Sequence, residues 1–305
     1  MSAPASPPAV APRLPGLDPL AMVMGLAFAL MWSSAFTSAK IVVADAPPFL
    51  ALTARFALSG LIACAIAAAL GQTARLGRRQ WLLVGVFGLC QNALYLGLNF
   101  LAMTKVEAGL AAIIASVLPL LVAAGAWGLS GERPERLGAV GLALGFAGVA
   151  AVMGGRLQGG SDALGIGLCV IAAVALAVAT LVMRGASAGG NLLMIVGLQM
   201  LAGAAFLAPV ALLFESVADV RWTLPLGLAF AYTTLVPGVL ATLVWFTLVA
   251  RIGATRASAF HFLNPCLGVG IASALLAEPL GWTDAVGVGV ATAGILLVQL
   301  SRKPG

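Results

Sequence analysis

The sequence predicts an all-α integral membrane protein with ten transmembrane helices, arranged as two inverted-topology five-helix repeats. Hydrophobic residues make up 62% of the 305 residues and charged residues only 9%, whereas about a quarter of the residues in a soluble domain are charged. Ten apolar stretches approach the length of about 20 residues that a helix needs to cross a bilayer. One long segment of the chain also occurs twice. Together these observations predict a duplicated membrane bundle.

Short turns rich in Gly, Pro and charged residues separate the apolar stretches, and none could hold a soluble domain. The Pro/Ala/Ser-rich residues 1–18 predict a disordered N-terminal tail. Two repeat units follow, at residues 19–154 and 164–300. The predicted helices span residues 19–40, 48–70, 80–103, 107–129, 136–154, 164–183, 191–214, 224–250, 255–277 and 283–300.

Residues 111–149 and 257–295 are two copies of one segment, related without a gap by a shift of 146. Each copy contains an apolar helix with a proline (Pro119 or Pro265), a Glu near the end of that helix, a short turn and a Gly-rich helix. Internal repeats of this kind indicate the fold of the whole chain. Because each half has five helices, the second half enters the membrane from the opposite face. This inverted repeat is the architecture of many secondary transporters.

Lys and Arg are distributed unequally between the two ends of the predicted helices. Eleven lie at the termini and in alternate loops, four lie on the other side, and Arg55 lies within a helix. Because positive residues accumulate in cytoplasmic loops, both termini are predicted to be cytoplasmic. The 13 Arg against 3 Lys and the abundant Ala favour a bacterial protein, and therefore the inner (plasma) membrane. The basic residues occur singly rather than in a patch, so nucleic acid is not an expected partner.

Patterns of catalytic or metal-binding residues are missing from the sequence. The chain has one His, no HExxH, GxSxG or phosphate-binding loop, and no pair of carboxylates within a helix. An enzyme site needs a nucleophile with a base, or clustered metal ligands. We therefore predict a protein that is not an enzyme and holds no metal or cofactor. Its expected partners are a small-molecule substrate and the lipid bilayer.

Polar and aromatic residues inside the helices are the candidates for a substrate site, because polar groups are expensive in a membrane and usually face a cavity or a partner. On helix three, Asn92, Tyr95 and Asn99 form one polar stripe. Asn99 is equivalent by the repeat to Trp245 on helix eight, and Gln91 lies off the stripe. The predicted substrate-binding residues are Trp32, Ser34, Arg55, Tyr95, Asn99, Trp245, His261 and Asn264.

Arg55 lies about 10 Å along helix two from Pro48, at 1.5 Å per residue. One interpretation is contact with an anion or a carboxylate in a cavity. The other is that its side chain snorkels to the lipid headgroups or pairs with an acidic residue such as Glu107.

His261 and Asn264 lie three residues apart on helix nine, so they share a face, and Pro265 follows them. His is the side chain that titrates near neutrality. His261 is therefore either a cavity residue that contacts substrate or carries a proton, or a neutral hydrogen-bonded residue between helices.

Two further features are interpreted as scaffold. Glu132 and Glu278 lie at helix ends beside the N-terminus of the next helix, where a carboxylate is favourable; proton transfer is the alternative. Rows of Gly and Ala on helices five and ten have the spacing of packing residues. They either brace the bundle or form the interface of a homodimer.

Four segments within this ten-helix pattern resemble the drug/metabolite transporter superfamily, and its EamA-like branch in particular. They are WSSAF (32–36), ALTARF (51–56), LPLLVAAGAWGLSGE (118–132) and NPCLGVGIASALLAE (264–278). The resemblance covers the chain after the tail. It implies export or facilitated passage of amino acids or other small metabolites, through a central cavity lined mainly by helices 1, 3, 4, 6, 8 and 9.

The chain departs from that family pattern at two places in the expected cavity. WSSAF stands where a Trp-Gly-Ser/Thr sequence is common, and His261 stands where an apolar residue is usual, so the substrate class does not carry over. We therefore expect a secondary transporter that exports small organic metabolites such as amino acids by alternating access. The alternatives are an importer or a scramblase of lipid-like substrates with the same fold, and a receptor or scaffold without transport.

Overall fold

The computed structural model describes residues 18–130, 135–182, 191–252, 257 and 259–301. The predicted tail and Glu132 therefore lie outside the described residues, apart from Asp18. In this part of the chain nine helices are long and apolar enough to cross a membrane, and a tenth is shorter. The helices are α1 (Pro19–Asp45), α2 (Pro48–Ala69), α3 (Arg78–Ala102), α4 (Ala108–Gly128), α5 (Arg136–Gln158), α6 (Ala163–Val182), α7 (Leu192–Phe214), α8 (Leu224–Val249), α9 (Phe260–Leu276) and α10 (Trp282–Leu300).

The all-helical architecture confirms the predicted fold class, and the helix contacts follow the repeat. Equivalent helices of the two halves pack as pairs, α2 with α7 and α5 with α10. In the middle of the bundle α1 packs on α8 and α9, while its equivalent α6 packs on α3 and α4. The same set of contacts is therefore made twice, as expected for two copies related by an internal two-fold axis.

Four central helices are irregular, and they form two equivalent pairs. α3 has a π-helical segment at Gly88–Leu96, and α8 has one at Val236–Leu240. α4 is interrupted between Ala115 and Leu118, just before Pro119, and α9 opens with a 3₁₀ turn just before Pro265. Proline lacks the N–H that a regular helix would use, and π segments are frequent at functional sites. The breaks place irregular backbone at the centre of the bundle.

The small-residue rows on α5 and α10 face each other. A Cβ on Gly148 would lie 2.5 Å from the backbone nitrogen of Ala291, and a Cβ on Gly141 would lie 2.8 Å from the carbonyl oxygen of Gly294. The two helices can approach this closely only because these positions lack side chains. The rows therefore brace the bundle within one chain. A homodimer stays a prediction and would need another surface.

Carboxylates cap helices on one face of the bundle. This face, called the opposite face because it lies across from the start of α1, carries the loops at 46–47, 103–107, 159–162, 215–223 and 277–281. Glu278 accepts hydrogen bonds from the backbone N–H groups of Ala108 (2.7 Å) and Gly109 (2.9 Å) at the start of α4. Glu215 does the same for Phe49 and Leu50 at the start of α2. The expected helix for Glu278 was the following one, α10. It instead caps a helix of the other half, which brings the two halves together.

Basic side chains complete the opposite face. Lys40 donates hydrogen bonds to the carbonyl oxygens of Met103 (2.6 Å) and Val106 (2.8 Å). Arg156 binds both carboxylate oxygens of Asp284, at 3.0 and 2.7 Å, and also contacts Glu107 at 3.4 Å. These bonds hold α1 against the end of α3, and α5 against α10.

Candidate substrate site

Two adjoining cavities lie in the middle of the bundle. The larger spans about 640 Å³ and the smaller about 380 Å³, each counted together with the open solvent at its mouth. Trp32, Phe36 and Tyr95 line both and so form the partition between them. The other polar residues of the larger cavity are Arg55, Gln91, Asn92, Asn99 and Thr242, and those of the smaller are Ser33, Ser116, His261 and Asn264.

Arg55 is buried beside the larger cavity, with 6% of its surface exposed. Its guanidinium carbon lies 5.4 Å from the ring centre of Phe56 and 6.0 Å from that of Phe100, within the range of cation–π attraction. Its Nε has no hydrogen-bond partner. Among the described residues no carboxylate forms an ion pair with Arg55, because Glu107 pairs with Arg156 instead. Pairing with Glu107 was therefore a wrong alternative, and burial also excludes snorkelling to the headgroups.

The stripe on α3 faces the larger cavity. Asn92, Tyr95 and Asn99 all line it, which confirms that they share a face. Gln91, which was expected to lie off this stripe, lines the cavity as well. Gln91 lies four residues before Tyr95, a spacing that places two side chains on the same side of a helix, and both lie in the π-helical segment.

Two asparagines of this stripe differ in their hydrogen bonds. The Asn92 amide donates to the carbonyl oxygen of Gln199 at 2.8 Å and so ties α3 to α7. The Asn99 amide donates to the carbonyl oxygen of Tyr95 at 2.8 Å, while its Oδ1 has no partner. Buried polar atoms are almost always hydrogen-bonded in proteins. An acceptor without a partner beside a cavity therefore marks Asn99 as a residue suited to binding a ligand.

His261 lies among aromatic rings. Its ring centre is 4.9 Å from that of Trp245, 5.2 Å from that of Phe28 and 6.4 Å from that of Trp32. Asn264 lines the same smaller cavity and accepts a hydrogen bond from the Ser33 hydroxyl at 3.4 Å. The predicted common face of His261 and Asn264 is confirmed, although the backbone at His261 is 3₁₀ rather than α-helical.

Two of the eight predicted residues line neither cavity. Ser34 shares a hydrogen bond of 2.7 Å with the Tyr232 hydroxyl and donates to the Met31 carbonyl oxygen. Trp245 packs on Phe28, at 4.7 Å between ring centres, and on His261. The structure therefore brings six of the eight residues to the cavity walls. Trp245 packs against one of these six, His261.

Several lining residues were missed at the sequence level because they are apolar. Phe36 is one of them, although its position four residues after Trp32 on a helix was a usable signal. Ser34 follows Trp32 by only two residues, which on a helix places the two side chains on different faces.

Arg55 on α2 and Met200 on α7 also line the larger cavity, so the six helices expected from the resemblance do not form the whole wall.

The sequence model of the EamA-like transporter family matches this chain at residues 19–154 and 163–300. The chain belongs to the EamA-like transporter family. An uncharacterized transporter of Bacillus subtilis, YvbV, is 29% identical over 274 residues, which is 90% of this chain and 90% of that protein. An uncharacterized inner membrane transporter of Escherichia coli, YedA, is 25% identical over 92% of this chain and 91% of its own length.

A solved crystal structure has the same fold, with a TM-score of 0.68 at 23% sequence identity, over 92% of this chain and 96% of that one. Membership of the family and the relatives establish that this protein is a multi-pass membrane transporter and not an enzyme. The predicted family is thereby confirmed.

Proposed function

We propose that this protein is a secondary transporter of the bacterial inner membrane that exports small organic metabolites, such as amino acids, by alternating access. The observation that carries the proposal is the buried Arg55, which has no carboxylate partner among the described residues and lines a cavity between the two halves. An ionised side chain inside the membrane is costly, and where one occurs it usually marks a functional site. A metabolite carboxylate is the group that it would bind. The direction of transport rests on the resemblance to metabolite exporters.

The proposed substrate site draws on both halves of the chain. Arg55, Tyr95 and Asn99 come from the first half, and His261 and Asn264 come from the second. Transporters with inverted repeats bind their substrate near the midplane between the repeats. A rocking motion of one half against the other would therefore change the site and its access together.

Two ion pairs suit such a motion, one at each face of the bundle. Asp18 before α1 pairs with Arg251 after α8 on the face where α1 begins. Lys105 after α3 pairs with Asp162 before α6 on the opposite face, at 3.9 Å. Lys105 and Arg251 are equivalent by the repeat, and each pair links the first half to the second. Such exposed ion pairs contribute little stability, so they can open and close at low cost.

Transport by purified protein in proteoliposomes tests the proposal directly. A panel of labelled amino acids and other small carboxylates should include at least one solute that wild type moves. His261→Ala and Asn99→Ala should each lower its rate about tenfold, the effect of about 1.4 kcal/mol of lost interaction. Ser34→Ala is the matched control, since Ser34 lines neither cavity, and it should keep the wild-type rate within about twofold. If wild type moves no solute under any gradient, the transporter proposal fails.

The same assay separates the alternatives. Accumulation of solute against the exporting direction would indicate an importer, and movement of labelled lipid would indicate a scramblase. A receptor or scaffold would tolerate loss of the cavity residues. Transport of the solute that is unchanged when a pH gradient is dissipated would exclude proton coupling through His261.

The pair Asp18–Arg251 provides a second prediction. Asp18→Asn or Arg251→Gln should change the transport rate about two- to fivefold, because an exposed ion pair contributes little. The charge-swapped double variant, with Asp18→Arg and Arg251→Asp, should restore part of the rate, because Asp18→Arg also removes the side-chain cap on the N–H groups of Leu20 and Ala21. Hydrogen bonding to Arg251 holds the pKa of Asp18 below its usual range. The carboxylate therefore stays charged at neutral pH and loses the pair only as pH falls through that lowered pKa, so both effects should be equal at about pH 6 and about pH 8. If the effects of the single changes at Asp18 and Arg251 on the transport rate simply added in the double variant, the two residues would not act as a pair in the transport motion.

Orientation is tested separately. The 11 to 4 distribution of Lys and Arg supports cytoplasmic termini. A reporter that is active only in the cytoplasm, fused to the C-terminus, should be active. The same reporter in the loop at 215–223 should be silent, and the reverse result would invert the proposed topology.

A further inference from the structure

We infer that the larger cavity takes a 2-hydroxy acid with an apolar body, and that it discriminates against the corresponding amino acid. The inference rests on the proposed function and narrows its substrate class from small carboxylates in general, amino acids included, to 2-hydroxy acids. It is carried by the charge of the cavity, by the acceptor atom of Asn99 and by the partition between the two cavities.

The larger cavity has a positive charge that its surroundings do not balance. Arg stays protonated in proteins, and nine of the ten carboxylates of the chain lie among the described residues, at helix ends and in loops. None of the nine lines either cavity, and the tenth, Glu132, lies outside the described residues. A monoanion would neutralise Arg55 in this apolar region. A zwitterion would leave the net charge in place.

An ammonium group would find no carboxylate in the cavity wall among the described residues. It has three N–H donors and binds best to carboxylates or to several oxygens together. Of the lining residues, Asn99 has a buried acceptor without a partner, Oδ1, and the Asn264 oxygen already accepts one hydrogen bond from Ser33. The positive charge of Arg55 would moreover repel the ammonium across the low dielectric of the cavity.

A hydroxyl group fits the same acceptor. The hydrogen bond from the Asn99 amide nitrogen to the Tyr95 carbonyl oxygen sets the orientation of the amide. The Asn99 oxygen is thus the atom left to accept a single donor. Asn99 and Arg55 line the same cavity. A hydroxyl on the carbon next to a carboxylate would present one donor to Asn99 and one anion to Arg55 within that cavity.

The aromatic partition provides contact surface for an apolar body of the substrate. Trp32, Phe36 and Tyr95 present aromatic surface to both cavities. Aromatic rings prefer offset-stacked or edge-to-face contacts with other rings. The benzyl group of a substrate in the larger cavity would contact these rings while the carboxylate of the same substrate binds Arg55.

Three probes that share a benzyl group test the inference. They are 3-phenyllactate with a hydroxyl, phenylpyruvate with a carbonyl, and phenylalanine with an ammonium. Wild-type protein in proteoliposomes should transport phenyllactate about tenfold faster than phenylalanine, with phenylpyruvate between them, as expected for one hydrogen bond. Phenyllactate should also raise the melting temperature of the purified protein in detergent more than phenylalanine does.

Variants assign the preference to residues. Arg55→Gln should abolish both the transport of phenyllactate and its thermal stabilisation, and Arg55→Lys, which keeps the charge, should retain part of each. Arg136→Gln is the matched control, since it removes an exposed Arg at the start of α5, and it should behave as wild type. Asn99→Ala should remove most of the advantage of phenyllactate over phenylpyruvate, because the hydroxyl then loses its acceptor.

The ranking in wild type decides the inference even if a variant does not fold. Transport of phenylalanine at least as fast as that of phenyllactate would overturn it and leave the transporter proposal standing. An unchanged ranking in a folded Arg55→Gln protein would also overturn it. Failure of wild type to move any solute of the wider panel would overturn both proposals.

Discussion

Gly148→Ala is expected to lower the free energy of unfolding by about 2–3 kcal/mol, the upper range for overpacking. The added Cβ would lie 2.5 Å from the backbone nitrogen of Ala291 and 2.7 Å from the carbonyl oxygen of Gly287. Both atoms belong to backbone that cannot move aside by changing a rotamer. The helices α5 and α10 would have to separate along their length.

The control for this prediction is the same substitution on the same helix. A Cβ on Gly154 would meet nothing within 4 Å, so Gly154→Ala should be neutral or stabilise by up to about 1 kcal/mol through helix propensity. Thermal unfolding of both variants in one detergent measures the difference. Equal melting temperatures would mean that α5 and α10 do not pack as closely as described.

Arg156→Met is expected to destabilise the protein by about 3 kcal/mol, near the lower limit for removing one partner of a buried ion pair. The Asp284 side chain is 4% exposed and would lose both bonds to the guanidinium. The Arg156 side chain is 16% exposed, which limits the loss through screening by solvent. Met keeps most of the apolar packing of the Arg stem, so the effect reports on the charge.

Arg221→Met is the control for Arg156→Met. Arg221 also forms an ion pair on the opposite face, with Asp45 at 2.6 Å, but its side chain is 70% exposed. Its loss should cost less than about 1 kcal/mol. Adding Asp284→Asn to Arg156→Met should recover part of the stability, since the uncompensated charge is then removed. Asn keeps an oxygen for the Gly281 N–H, which donates to Asp284 at 2.9 Å, so a double variant less stable than Arg156→Met alone would show that the uncompensated charge does not cause the loss.

The sequence was sufficient for features that depend on composition and spacing. The apolar stretches, the repeat and the small-residue rows predicted the fold class and the packing role of α5 and α10. The stripe of Asn92, Tyr95 and Asn99 and the pair His261 and Asn264 were predicted to share faces, and they do. These features depend on periodicity along one helix, which a single sequence contains.

The tertiary structure decided which partners meet. Glu278 caps α4 instead of the next helix, Arg156 takes the acidic group that was an alternative partner for Arg55, and Ser34 bonds to Tyr232 away from the cavities. No spacing along the chain encodes these choices, because they depend on how helices from different halves cross.

By itself the sequence determined a ten-helix membrane protein built twice, with few polar groups inside it, because hydrophobic length and repetition are local properties of the chain. Only the tertiary structure decided that Arg55 is left without a carboxylate partner among the described residues and lies beside a cavity. The reason is physical. Whether a buried charge is neutralised depends on which carboxylates lie within a few ångströms of it, and packing of the two halves sets those distances.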